Sequence, residues 1–206
     1  MELTVIGASG GTGREIVRQG LERGHRVTAV LRDPARLDLP DTADLTRLTA
    51  DVRDPESIAR ALKGSTVILS GLGVAKGDKT GVLSAGARAA VAAAPNRLIW
   101  LGAFGTGASA QAAGRLTRTL LRMFMGGELA DKVTADTAVL RAGGTVFHAG
   151  PLSGKPLSPD RRAVPLDAAP KRLFPAGVAR ANVAAAMLDE AESGDHPGRT
   201  LIPLDR

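Results

Sequence analysis

Seven residues near the start, Gly7-Ala8-Ser9-Gly10-Gly11-Thr12-Gly13, leave this chain few folds to choose from. They follow a strand-like run containing Leu3, Val5 and Ile6 and precede an amphipathic segment containing Ile16, Val17 and Leu21. Glycines at 7, 10 and 13 permit a sharp strand-to-helix turn and let backbone approach a pyrophosphate, while amides at the helix N-terminus face the anion. Ser9 and Thr12 add hydroxyl donors. A glycine-rich loop with no ligand is the alternative, and the strand, turn and helix order argues against it.

Downstream, strand-length apolar runs alternate with helix-length segments, which predicts an α/β, Rossmann-like doubly wound fold: a mostly parallel sheet with helices on both faces. Strands are expected near Leu3 to Ile6, Arg26 to Leu31, Leu45 to Ala50, Thr66 to Ser70, Leu98 to Leu101, Thr145 to His148 and Thr200 to Pro203. Helices are expected near Gly11 to Arg23, Pro55 to Leu62, Thr80 to Ala94, Ala112 to Met125, Glu128 to Arg141 and Gly177 to Glu192. Asp54-Pro55 reads as an N-cap followed by proline in the first turn, and Gly143-Gly144 as a helix stop. From Pro151 to Pro175 prolines recur without apolar periodicity, predicting an irregular excursion. Such excursions gather at the carboxyl ends of strands, so this one is a candidate substrate flap, with a plain surface connection as the alternative.

At 206 residues, the chain has the length of one domain, here expected to carry a small substrate-side lobe from about 104–130 and 151–175. Hydrophobic residues at 44%, charged residues at 23% and a mean hydropathy of +0.02 exclude wholesale disorder. No run is long and apolar enough to span a bilayer and no signal peptide is read, so no membrane association and a cytoplasmic location are expected. Zero cysteines exclude disulfides and thiolate chemistry, and no metal site is read. The net charge of +6 is spread along the chain and aromatics are only 2%, which argues against nucleic acid. A monomer or a homodimer is expected.

About twenty residues beyond the turn, where a ribose-reading side chain is expected, stands Leu31-Arg32-Asp33-Pro34. Asp33 could accept from a ribose 2′-hydroxyl and select NAD, whereas Arg32 and Arg36 could hold a 2′-phosphate and select NADP. Asp33 directly before a proline also reads as a helix N-cap, which makes Arg32 the preferred reader and NADP (NADPH) the preferred cofactor. Asp51 and Val52, after the third strand, would sit beside the adenine, with a helix-starting role the alternative for Asp51. Ser70, Gly71 and Leu72, after the fourth, would let backbone approach the cofactor near its second ribose.

The chain resembles the atypical short-chain dehydrogenase/reductases that bind NAD(P)H, the NmrA-like and biliverdin reductase B or flavin reductase-like group. The resemblance rests on the Gly7–Gly13 turn, Leu31-Arg32-Asp33-Pro34-Ala35-Arg36-Leu37, Ala50-Asp51-Val52, Ser84-Ala85-Gly86-Ala87-Arg88, Ala103-Phe104, Val139-Leu140-Arg141, Pro156-Leu157 and Val178 through Ala184. It implies a Rossmann-like fold, NADPH, and reduction of a flavin, quinone or tetrapyrrole. Departures from the group's pattern bear on chemistry. The typical Tyr-Lys pair cannot exist, because there is no tyrosine. The hydroxyl residue expected before Ala103-Phe104 is Gly102, and the histidine expected in a later loop falls on Pro151.

Hydride transfer to a flavin or quinone chiefly requires two stacked rings, whereas an ordinary ketone needs a nearby donor for the developing alkoxide. The missing acid therefore points to a small planar acceptor that stabilises its own negative charge. His148 is the candidate substitute acid, with a structural hydrogen-bonded role as its alternative. His25 and His196 read as surface residues, and Lys132 with Asp136 as an ordinary exposed pair. Gly102, Phe104, Met123, Phe124, Pro151 and Leu152 are candidates for the acceptor pocket, although Leu116, Leu120 and Phe124 also read as a core stripe opposite Arg115, Arg118 and Arg122. A competing reading is a non-catalytic, NmrA-like sensor of NADP redox state that acts through a protein partner.

Overall fold

A computed structural model of the chain describes residues 1–74, 80–110, 114–170 and 176–205, with the side chains of 108, 110 and 114–127 outside the described set. In chain order the elements are β1 (Glu2–Ile6), α1 (Gly11–Glu22), β2 (Arg26–Leu31), β3 (Leu45–Thr49), α2 (Pro55–Leu62), β4 (Val67–Ser70), α3 (Val82–Ala92), β5 (Arg97–Ala103) and α4 (Gly114–Arg141). Then follow β6 (Thr145–Ala149), β7 (Leu152–Ser153), β8 (Arg162–Pro165), β9 (Val178–Ala179), α5 (Arg180–Ser193) and β10 (Thr200–Leu204).

The main sheet has the order β3-β2-β1-β4-β5-β6-β10-β8. Every pairing from β3 to β10 is parallel, and β8 closes the edge antiparallel to β10. Chain direction across the sheet reverses between β1 and β4, so a crevice opens at their carboxyl ends, the topological switch point of such folds. Alternation along the strands feeds two cores. Leu3, Val5, Leu69, Ile99 and Phe147 face α1 and α5, while Ile6, Ile68, Leu98, Trp100 and Val146 face α2, α3 and α4. Burial on both faces is why these strands read as continuous apolar runs.

Three expectations need correction. A single 28-residue helix, α4, replaces the two expected at 112–125 and 128–141; Gly126 and Gly127 each cost a helix about 1 kcal/mol relative to alanine, which long flanking runs of good helix formers absorb. The segment from Pro151 to Pro175 is not irregular throughout, because it contributes β7 and the edge strand β8, where Pro165 ends the strand without needing to donate to a central ladder. Finally, α5 begins at Arg180 rather than Gly177, since Val178 and Ala179 pair with Leu152 and Ser153 as β9.

Candidate nucleotide-binding and acceptor cleft

Between β1 and α1 the chain turns through Gly7 at φ +73°, a left-handed conformation in which a side chain would be strained. A Cβ at Gly13 would lie 2.1 Å from the Gly7 carbonyl oxygen, so the first turn of α1 can press on the loop only as glycine. Gly10 caps α1 without any side-chain hydrogen bond, and the first turn holds no acidic residue. The free amides and dipole of that turn therefore face open space with no anion of the protein's own to meet them.

That space is a cleft of about 510 Å³ lying over the carboxyl ends of the strands. It brings together Gly7, Ser9, Gly10, Gly11 and Thr12 at its centre, and Arg32, Arg36, Asp51 and Val52 toward the β2–β3 side. Gly71 and Leu72 line it over β4, and Gly102 and Leu152 line the opposite end. Other candidates are placed elsewhere. Gly13 packs beneath the turn, and Ser70 is buried with its hydroxyl accepting from the Leu72 amide at 3.3 Å. Phe104 lines a small neighbouring cavity with Gly150 and Pro170, while Pro151 is exposed and lines neither space. The side chains of Met123 and Phe124, like those of Arg115, Leu116, Arg118, Leu120 and Arg122, lie outside the described residues.

At the end of β2 the two candidate ribose readers part. Asp33 turns its carboxylate onto the Ala35 amide at 3.0 Å, capping a one-turn helix that starts at Pro34, while Arg32 and Arg36 line the cleft. Asp51 lines the cleft, and its Oδ1 accepts from the Arg53 amide at 2.9 Å in the turn ahead of α2, so it does not start that helix. The N-cap of α2 is Asp54, as expected.

The far end holds a polar network that corrects the reading of Asp136. Rather than an exposed partner of Lys132, Asp136 is 3% exposed, with Oδ2 hydrogen-bonded to His148 Nε2 at 3.1 Å and 3.3 Å from Thr106 Oγ1, which also donates to the Ala103 carbonyl at 2.7 Å. His148 is fully buried on β6, with Nδ1 2.7 Å from the Ser109 hydroxyl. Asp136 and Lys132 both line the cleft, whereas His148 stands behind Asp136. Helical spacing had marked the pair, but only the packing of α4 against β5 shows which face is inward. His25 and His196 are likewise not free surface groups; they pair with Glu192 and Glu190, each at 2.8 Å.

Two further basic residues were missed. Arg53 lines the cleft beyond Val52, and Arg180 lies across the turn, with its Cδ and Nε 2.8 Å from where a Cβ on Gly11 would stand. Arg180 opens α5, whose first turn carries no acid, and a cation there opposes the helix dipole. That mismatch was readable in the sequence once the helix start was known.

The profile of the NAD(P)H-binding family matches residues 7–193. The chain belongs to that family. Among curated proteins, the uncharacterized protein YwnB of Bacillus subtilis is 36% identical over 66 residues, a match spanning 30% of this chain and 31% of YwnB. Among solved structures, ChuY, an anaerobilin reductase from Escherichia coli O157:H7, superposes with a TM-score of 0.77 at 18% identity, over 100% of this chain and 97% of its own. SP1627 of Streptococcus pneumoniae, a candidate NADH-flavin reductase, gives 0.76 at 18% identity over 100% of both chains. These two likenesses establish the Rossmann fold for this member of the family. Among the described residues, no helix is long and apolar enough to cross a membrane.

Proposed function

We propose that this protein is a cytoplasmic NADPH-dependent oxidoreductase that reduces a flavin, quinone or similar planar acceptor. The observation that carries the reading is the uncapped N-terminus of α1, opening into the cleft between Arg32 and Arg36 on one side and the Asp136 network on the other. The residues fit a dinucleotide in size and charge: amides of Gly10 to Thr12 and the Arg180 guanidinium for a pyrophosphate, Arg32 and Arg36 for a 2′-phosphate, and Asp51 and Val52 beside an adenine. With Asp33 committed to its own backbone, phosphate recognition outweighs hydroxyl recognition, which supports NADP over NAD.

Bound there, NADPH supplies a hydride. The chain's part is to hold ring against ring and exclude water at the end of the cleft lined by Gly102, Ala103 and Leu152. In this reading an acceptor-side lobe spans about 104–130 and 151–175, of which 111–113 and 171–175 lie outside the described residues. ChuY and SP1627, whose names refer to reduction of an anaerobilin and of a flavin, support that substrate class. A sensor without turnover is favoured by one observation, the absence of tyrosine.

Mixing the protein with NADPH and FMN, then with a panel of quinones, and following the reduced-nicotinamide absorbance tests the proposal. Acceptor-dependent oxidation of NADPH is the expected result. Tight NADPH binding without acceleration across the panel would transfer the assignment to the sensor.

A further inference from the structure

We propose that Asp136 is a fixed counter-charge for the oxidised nicotinamide ring, so that the cleft holds NADP⁺ more tightly, relative to NADPH, than it would without that carboxylate. The inference rests on the dinucleotide reading of the cleft and adds a role for a residue at its far end. A dinucleotide with its 2′-phosphate at Arg32 and its pyrophosphate at Gly10 to Thr12 extends its nicotinamide over β5 and β6. Asp136 lines the cleft there, together with Gly102, Ala103 and Gly150.

The carboxylate is held rather than merely present. Oδ2 lies 3.1 Å from His148 Nε2 and 3.3 Å from Thr106 Oγ1, whose single proton is shared with the Ala103 carbonyl at 2.7 Å, and the Ser109 hydroxyl at 2.7 Å from Nδ1 fixes the imidazole behind it. Asp136 lines the cleft, and among the described residues its hydrogen-bond partners all lie on Oδ2. Glycine at 102 makes the arrangement possible, since a Cβ there would lie 2.8 Å from Oδ1 and 2.9 Å from Oδ2.

Sign and dielectric decide what such a charge does. In the transfer, the C4–H bond of NADPH breaks with both electrons leaving on the hydrogen. The ring becomes a pyridinium, and the acceptor gains the hydride and then a proton from solvent. A preorganised anion beside the ring stabilises that developing positive charge without having to reorient. Lys132, one turn earlier on α4, has the opposite sign but is only partly buried. Asp136, at 3% exposure, is the more deeply buried of the two charges lining this end of the cleft, and a buried charge is screened less.

The decisive measurement is the ratio of the NADP⁺ and NADPH dissociation constants. Asp136→Asn is expected to weaken NADP⁺ relative to NADPH by about 10- to 100-fold, the scale of a typical coupling between two bound charges. NADPH affinity should stay within about threefold, and single-turnover oxidation should slow for flavin and quinone alike, the mark of a charge effect rather than an acid's. His148→Gln, which keeps the carboxylate and a donor to it, should leave the ratio near the wild-type value. The wild-type protein should also bind NADP⁺ more tightly than uncharged 1,4,5,6-tetrahydro-NADP, a comparison that needs no variant to fold. An unchanged ratio in Asp136→Asn, or equal weakening of both forms, overturns the counter-charge. Slowing confined to acceptors that need a proton in the transition state overturns it in favour of an acid. A wild-type protein that binds neither nucleotide overturns the cofactor reading itself, and this inference with it.

Discussion

Two helix N-termini, those of α1 and α3, point at the same cleft, and they satisfy their orphan amides in opposite ways. At α3 the N-cap is Gly81, which has no side chain to offer, and the carboxylate of Asp131 reaches in from α4 instead. It accepts from the Gly81, Leu83 and Ser84 amides at 3.1, 3.0 and 3.0 Å. At α1 the N-cap is also a glycine, but no side chain caps it. Both ends carry the partial positive charge of a helix dipole. The difference is that the protein supplies its own anion to one end and, among the described residues, none to the other, the end that the proposed function assigns to the dinucleotide.

The sharpest way to break this comparison is to give α1 the anion it lacks. Gly10 sits at φ −72° and ψ 159°, where any residue is comfortable, and a Cβ there would meet the Gly7 oxygen at 3.3 Å. That contact is tight against backbone, so Gly10→Asp should fold with the Gly7 oxygen giving by a few tenths of an ångström, at a cost of about 1 kcal/mol. Dinucleotide binding should fall by about 100-fold or more, because the pyrophosphate would meet a carboxylate instead of amides. Titration calorimetry beside a thermal melt checks both halves. An unchanged affinity would remove α1 from the site.

A smaller effect separates the cations around the open end. Arg32→Ala should weaken NADPH by about 10- to 30-fold and NADH by less than about threefold, because the loss is confined to the 2′-phosphate. Arg180→Ala should weaken the two nucleotides alike, by about tenfold, because both carry the pyrophosphate it faces. Parallel losses in Arg32→Ala would contradict the 2′-phosphate assignment.

How much of this could be read in advance differs along the chain for a physical reason. The turn, the strands from β1 to β6 and the caps at Asp33 and Asp54 follow from local rules, in which spacing and residue type fix the outcome within a few positions. Asp131 and Asp136 do not. Each acts on an element far away in sequence, Asp131 on α3 and Asp136 on β5 and β6, so its role depends on how α4 is rotated against the sheet. Helical spacing joined Lys132 to Asp136 but could not say that Asp136 faces inward. The excursion after Pro151 misled in the other direction, since its prolines suppress a periodic signal even where Arg162 to Pro165 pair as an edge strand.

The smallest effect belongs to the closed end, and its pH dependence tests whether Asp131 works as a charge. Burial alone would raise this carboxyl, but the hydrogen bonds from Ser84, Leu83 and Gly81 outweigh it and hold the group below its ordinary range. A carboxyl lowered in the folded state contributes stability that is present above its unfolded value and is lost as the pH falls through the folded one. Asp131→Asn keeps the shape and one acceptor but removes the charge, so at pH 7 it should cost about 1–2 kcal/mol in denaturant unfolding. The gap between parent and variant should then close as the pH is lowered below about 4, where the unfolded carboxylate is protonated. Dinucleotide affinity should stay within about threefold throughout, because this anion serves α3 and not the ligand. A gap that persists undiminished at low pH would make the cap a matter of hydrogen-bond geometry alone, and a large loss of binding would mean that the two helix ends are coupled rather than divided in their work.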